Sequence, residues 1–255
     1  MRHLTTALVV ACLAAGCAAA REGGSAAEDA IQVALVTGGH GFDEDAFFAI
    51  FEGQPDIHFK QHGEAAAFQD ISEWPYDVIV MYNMSGAISQ QSRKNLMELL
   101  EGGVGLVSLH HAIANYPDWP AYRELIGAAY FRKPTEMDGK EYPRSEYTHD
   151  VDCEVEVVDT EHPITRGLGN FTIHDEVYRK WVAWPDNHVL LRTDHPESHE
   201  QIAWVRPFDD KRVCYIQLGH GPKAYGNENY RALVARAIRW ADERPTEPAE
   251  KTGTE

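Results

Sequence analysis

The chain has 255 residues, with 23 Lys plus Arg against 40 Asp plus Glu and a net charge of −17 with histidine neutral. That balance argues against nucleic acid or an anionic lipid surface as a partner and suits an enzyme or binder of neutral ligands. No internal repeat is visible, and the length suits one large α/β domain with short appendages.

Arg2 and His3 precede an apolar run, Leu4 to Leu13, that ends in Ala14-Ala-Gly-Cys17. A basic start, a short hydrophobic stretch and small residues at its end predict a signal peptide over 1–16. The run is shorter than the roughly 20 residues a membrane span needs. A cysteine directly after Ala-Ala-Gly resembles the bacterial lipobox, which predicts lipidation of Cys17 and a small, polar tether over 17–29. Plain secretion is the alternative. The protein is then expected in the cell envelope as a lipoprotein facing the periplasm or exterior, at the outer membrane in a Gram-negative cell. At the other end, 244–255 is charged and poor in apolar residues, which predicts a disordered tail.

Ile31-Gln-Val-Ala-Leu-Val reads as a buried first strand closed by Gly38-Gly39. A helix follows over 44–52, with Phe47, Phe48 and Phe51 on one face. Strands are expected at 56–61, from Asp77 and from Val104, and helices over 89–101, with Ser89 as N-cap, and 119–126. This β-α alternation with near-continuous apolar strands predicts a parallel sheet covered on both faces. From Tyr130 to His149 the pattern breaks into charges, prolines and glycine and reads as a surface excursion. Strands from 154, 189, 201 and 213 then mix directions, and a helix over 230–241 closes the domain. Cys153 and Cys214 fall in strands, where two buried thiols or one bridge fit equally.

His40 follows the first strand in Gly38-Gly-His-Gly, and His110 and His111 follow the fourth in Ser108-Leu-His-His. His220 follows the last strand in Leu218-Gly-His-Gly. Open α/β sheets bind ligands beyond the carboxyl ends of their strands, so three strands bring imidazoles to the edge where sites form. Asp175 and Glu176, within His174-Asp-Glu-Val-Tyr178, point to opposite sides if that segment is extended. One would then enter the site while the other orients a neighbour. The Gly38 turn lacks the lysine of a phosphate-binding loop and the dinucleotide glycine spacing.

In order and spacing, Gly38-Gly-His, Leu109-His-His-Ala with Trp119 and Tyr122-Arg-Glu-Leu-Ile-Gly, His149, His162-Pro-Ile-Thr-Arg-Gly-Leu, Asp175-Glu-Val-Tyr, Arg212-Val, Leu218-Gly-His-Gly and Arg239-Trp-Ala resemble the ThuA-like (trehalose-utilisation) family. The resemblance spans nearly all of Ile31 to Asp242 and sets the domain at 30–243. It implies a three-layer, flavodoxin-like fold related to class I glutamine amidotransferases, mostly parallel, with added antiparallel strands in the second half. Those enzymes carry a nucleophilic cysteine on the turn after a central strand. Here that turn is Ser108-Leu-His-His, so glutaminase chemistry is not expected. Gly41-Phe42 and the long excursion over 132–144 depart from the family pattern, the latter bearing on substrate size.

The resemblance implies a role in sugar catabolism, with a glucoside or 3-keto-sugar as substrate. The leading expectation is an enzyme (hydrolase, lyase or isomerase) using His/carboxylate acid–base chemistry. Its catalytic candidates are His40, His110, His111, Asp175, Glu176 and His220, with Asn83, His149 and Tyr178 contacting substrate. The rival is a non-catalytic sugar-binding lipoprotein assisting uptake or oxidation. No cofactor is assigned. Imidazoles with a carboxylate are also a ligand set for a divalent metal, but these histidines come singly from separate loops, which favours acid–base work.

Overall fold

The computed structural model describes residues 30–208 and 211–244. The expected signal peptide, Cys17 with its tether, and the tail beyond Arg244 lie outside the described residues.

The first half is β1 (Ile31–Gly38), α1 (Glu44–Glu52), β2 (Ile57–Gly63), β3 (Val78–Asn83), α2 (Gln90–Glu101), β4 (Gly105–Leu109), a 3₁₀ turn (His110–Ala114) and α3 (Pro120–Ile126). The helix starts are set locally. Asp43 accepts from the Ala46 N–H and Ser89 from the Ser92 N–H, while α3 begins with proline at its first position, where a missing N–H costs nothing.

The second half holds the short strands β5 (Ala128–Ala129), β6 (Thr135–Met137) and β7 (Lys140–Tyr142), then β8 (Glu146–Val157) and β9 (Phe171–Arg179). β10 (Val182–Ala183), β11 (His188–Arg192), β12 (Gln201–Phe208), β13 (Lys211–Ile216), α4 (Pro222–Tyr225) and α5 (Glu228–Ala241) follow.

Nine strands form one sheet in the order β2-β1-β3-β4-β13-β12-β11-β8-β9. The first five run parallel, and the remaining pairings are antiparallel. Side chains alternate across this sheet, and two cores result. Val33, Leu35, Val80, Val107 and Ile216 pack beneath α1 and α5. Val36, Ile79, Met81, Leu106 and Tyr215 face α2 and α3. Each fully buried Leu, Ile or Phe contributes about 1.5–3 kcal/mol, so helices cover both faces of the parallel half. This is the three-layer α/β fold the sequence predicts.

One departure concerns the second half. The excursion from Tyr130 ends four residues early, at Ser145, because β8 starts at Glu146. The segment with Asp175 and Glu176 is extended, as strand β9. β8 joins the rest of the sheet only through Glu156 and Val157, which pair with β11. The remaining length of the β8–β9 ribbon reaches across the carboxyl ends of β4 and β13, where Asp175 bonds the backbone after β13. Cys153 and Cys214 are both free and buried. Among the described residues no helix is long and apolar enough to cross a membrane.

Candidate active site

The site assembles where β1, β4 and β13 end and the β8–β9 ribbon crosses them. After β4 the chain turns sharply, and His110 sits at the turn with φ 49°. Few residues other than glycine adopt this left-handed backbone, which costs of order 1 kcal/mol and is held here by surrounding contacts. Its ring is sealed from solvent. His110 Nδ1 lies 2.6 Å from the Gln217 carbonyl. A carbonyl only accepts, so Nδ1 carries a proton and Nε2 is aimed at the site. The Tyr178 hydroxyl lies 2.6 Å from that nitrogen. His220 Nδ1 is 3.1 Å from it and Glu176 Oε1 3.3 Å.

The ribbon supplies the carboxylates by strand alternation. Asp175 Oδ1 accepts from the backbone N–H of Glu176 and His220 and Oδ2 from that of Gly219, at 2.7–2.9 Å. Burial pushes the Asp175 carboxyl up, against His110 and these three N–H groups, and it stays above the usual value. With its lone pairs engaged, Asp175 fixes the loop that carries His220. Gly219 suits that loop, since its φ of 111° and the Tyr230 hydroxyl against its α-carbon exclude any side chain.

Glu176 faces the other way, into the site. Burial raises its carboxyl, but the His110 hydrogen bond and charge, with Tyr178 and His220, outweigh this and hold it at about 2. Its second oxygen, Oε2, lies 2.7 Å from His149 Nδ1. A bulge lies beside that contact. Between Thr148↔Val177 and Val151↔Asp175 the register shifts, so two residues of β8, His149 and Asp150, oppose the single Glu176 of β9. Asp150 takes up the extra residue with φ 56°, and His149 is turned onto the face of Glu176 and Tyr178.

A cavity of about 500 Å³ opens above this arrangement. Its wall includes His40, His111, Tyr130, Arg132, Arg144, Tyr147, His149, Glu176 and Tyr178. His40 stacks on His111, ring centres 4.6 Å apart, and lies edge-on to His220 at 5.7 Å. His111 is 3% exposed, and neither of its ring nitrogens makes a well-formed hydrogen bond. Burial, then the neighbouring His110 and His40, lower its pKa to about 2, so this imidazole is neutral at any working pH. Burial and His110 likewise bring His220 down to about 4.

The structure therefore gathers His40, His110, His111, Asp175, Glu176, His220, His149 and Tyr178 at one edge. His110 and Asp175 lie beneath the cavity and act through others. Asn83 does not reach it: the residue is fully buried, donating to Ser85 Oγ and accepting from Asn115. It ends β3 beside β1, so it was close in topology but points into packing. Tyr130, Arg132, Arg144 and Tyr147 went unrecognised because they belong to the irregular excursion, where no period marks an inward face. The excursion's two ends carry one arginine and one tyrosine each, the only available signal.

A family model described as "Trehalose utilisation" matches residues 32–241. A ThuA-like protein from Parabacteroides merdae superposes with TM-score 0.69 at 17% identity, covering 87% of this chain and 94% of that one. For a ThuA-like protein from Bacteroides uniformis the figures are 0.65, 20%, 94% and 98%. The PurLQS structure from Thermotoga maritima gives 0.53 at 12% identity, covering 82% and 97%. These likenesses bear on fold, and it is the glutamine amidotransferase-like one. No curated protein matches the sequence.

Proposed function

The chain belongs to the ThuA family, whose description is trehalose utilisation, and from that premise and the site geometry we propose that it is an enzyme moving protons on a carbohydrate. The carrying observation is the Glu176 Oε2–His149 Nδ1 contact of 2.7 Å. An ionised carboxylate only accepts, so His149 Nδ1–H donates to it, and in the neutral ring Nε2 carries the lone pair. With its ring about half exposed at the cavity wall, His149 serves as the general base, oriented and charge-stabilised by Glu176.

A glucoside or its 3-keto derivative suits this apparatus. Carbons beside a keto group have acidified protons, which a base of this kind can remove. Arg132 and Arg144, at the cavity wall, offer hydrogen bonds to hydroxyls and to developing oxyanion charge. Tyr130 and Tyr147 offer aromatic faces to a sugar ring. Elimination and isomerisation of a keto-sugar need this proton transfer, and hydrolysis can use the same base on water.

Incubating the purified protein with trehalose, 3-keto-trehalose and 3-keto-glucosides, with products followed by NMR, tests the reading. Turnover that His149→Asn lowers by about 10²–10⁴-fold is expected. Tight binding with no turnover over hours would instead leave a sugar-binding protein. The same proposal has the protein exported and anchored through Cys17. Palmitate labelling in cells, expected for the natural chain and lost in Cys17→Ser, checks that part.

A further inference from the structure

We infer that His110 Nε2, His220 Nδ1 and Glu176 Oε1 form a binding site for one divalent transition-metal ion at the floor of the cavity. These atoms lie 3.1, 3.3 and 3.5 Å apart. Ligand atoms on a tetrahedral zinc with bonds of about 2.0–2.1 Å stand roughly 3.3 Å from one another, so an ion fits just off the plane of the three. Two imidazole nitrogens and one carboxylate oxygen are the donor set of many open zinc and iron sites, leaving at least one position for substrate or water.

Three further features fit a ligand set held in advance. His110 donates its other ring proton to the Gln217 carbonyl, which fixes the tautomer and aims Nε2 inward. Asp175 clamps the backbone N–H groups of Gly219 and His220. His149 holds the second oxygen of Glu176, so Oε1 is left for the ion. The separate loops that argue against a metal in the sequence are thus tied together by backbone bonds.

The part the ion would take rests on the function proposed above. Bound there, it would supply a Lewis acid for a substrate oxygen, while His149 still serves as base. The binding site itself stands on geometry and is tested without substrate.

Full-length protein made without a histidine tag is stripped with chelator and titrated with zinc chloride, and bound metal is counted after gel filtration. About one zinc per chain is expected, and cobalt in its place should give the visible bands of a low-coordinate nitrogen–oxygen site. His220→Ala and the isosteric Glu176→Gln should each weaken binding by about 100-fold or more, a ligand loss exceeding the usual cost of an outer partner. His174→Ala is the control. That exposed histidine lies 2.7 Å from Asp152 and 3.3 Å from Asp150, the place where surface binding would occur. No zinc uptake by the stripped chain, unchanged uptake in both ligand variants, or loss in His174→Ala would overturn the site. Circular dichroism checks folding, and the cobalt spectrum of the natural chain needs no variant. Turnover without metal binding removes the ion and leaves the acid–base enzyme. Metal binding without turnover does the reverse.

Discussion

His149 and Tyr147 are held differently in this cavity, and their replacement should differ accordingly. His149 is tied at Nδ1 and open at Nε2, so His149→Asn removes a base and should act on kcat. Glu176→Gln keeps the shape but gives His149 a neutral partner. A loss of about 10²-fold or more in kcat with KM within about threefold is expected, by steady-state kinetics on whichever 3-keto-glucoside turns over. Tyr147 stands 50% exposed at the rim and touches no group of the His149–Glu176 pair except the His149 ring, at 5.1 Å. Tyr147→Ala should raise KM by about tenfold, the worth of one stacking face, and leave kcat nearly alone. Equal effects of both substitutions on kcat would contradict this division of labour. Much of it was legible beforehand: Gly-His-Gly after two strands and His-His after a third put imidazoles at one edge. The separation of Asp175 from Glu176 also follows from alternation alone. What could not be read was burial. Nothing in Ser108-Leu-His-His says that the first histidine is sealed and the second lines the cavity, because a 3₁₀ turn and not a strand or helix decides it.

At the level of the elements, the ladder of β8 and β9 carries the arrangement. One residue fewer between Thr148 and Val151 would restore a plain ladder in which His149 still opposes Glu176, as Thr148 opposes Val177. Deleting Asp150 should therefore leave the far-UV circular dichroism close to that of the natural chain and kcat within about threefold of it. A loss of about 10²-fold or more in the deletion would show that the bulge, and not the ladder, places His149. The sequence announced β1 to β4 and their helices by runs of apolar residues between glycines and caps, and these stand within a few residues of expectation. β8 and β9 were harder. In Glu146-Tyr-Thr-His-Asp-Val-Asp-Cys the polar face looks at solvent or the site, so the apolar period emerges only toward Val155 and Val157, where β11 and the core begin.

Across the whole molecule, acid should act at both ends of the sheet: in the site through His111 and His220, lowered to about 2 and about 4, and at the opposite end through His162. His162 packs against His188 and Trp240, ring centres 5.6 Å away in each case. Its Nδ1 accepts the Ile164 N–H. Burial, then the His188 charge, lower its pKa from 6.5 to about 4. The unfolded chain thus takes up a proton between these values that the folded chain refuses, and stability falls as pH drops from 6.5 toward 4. Partial exposure of His162 keeps the slope below about 1.4 kcal/mol per pH unit. Urea denaturation at pH 7, 6 and 5 should show a shallower decline for His162→Gln than for the natural chain. Below 3.8 a second loss is expected, because the Arg239 hydrogen bond holds Asp56 below its ordinary value, an advantage present above 3.8 and lost on protonation. The site itself is built in two parts: β8 enters the sheet through two residues, yet it and the excursion before it furnish the cavity's outer wall. Floor and wall can consequently diverge at different rates among descendants of such a chain. A loop insertion at the β6–β7 hairpin could admit a larger glycan while every residue of the floor stayed as it is.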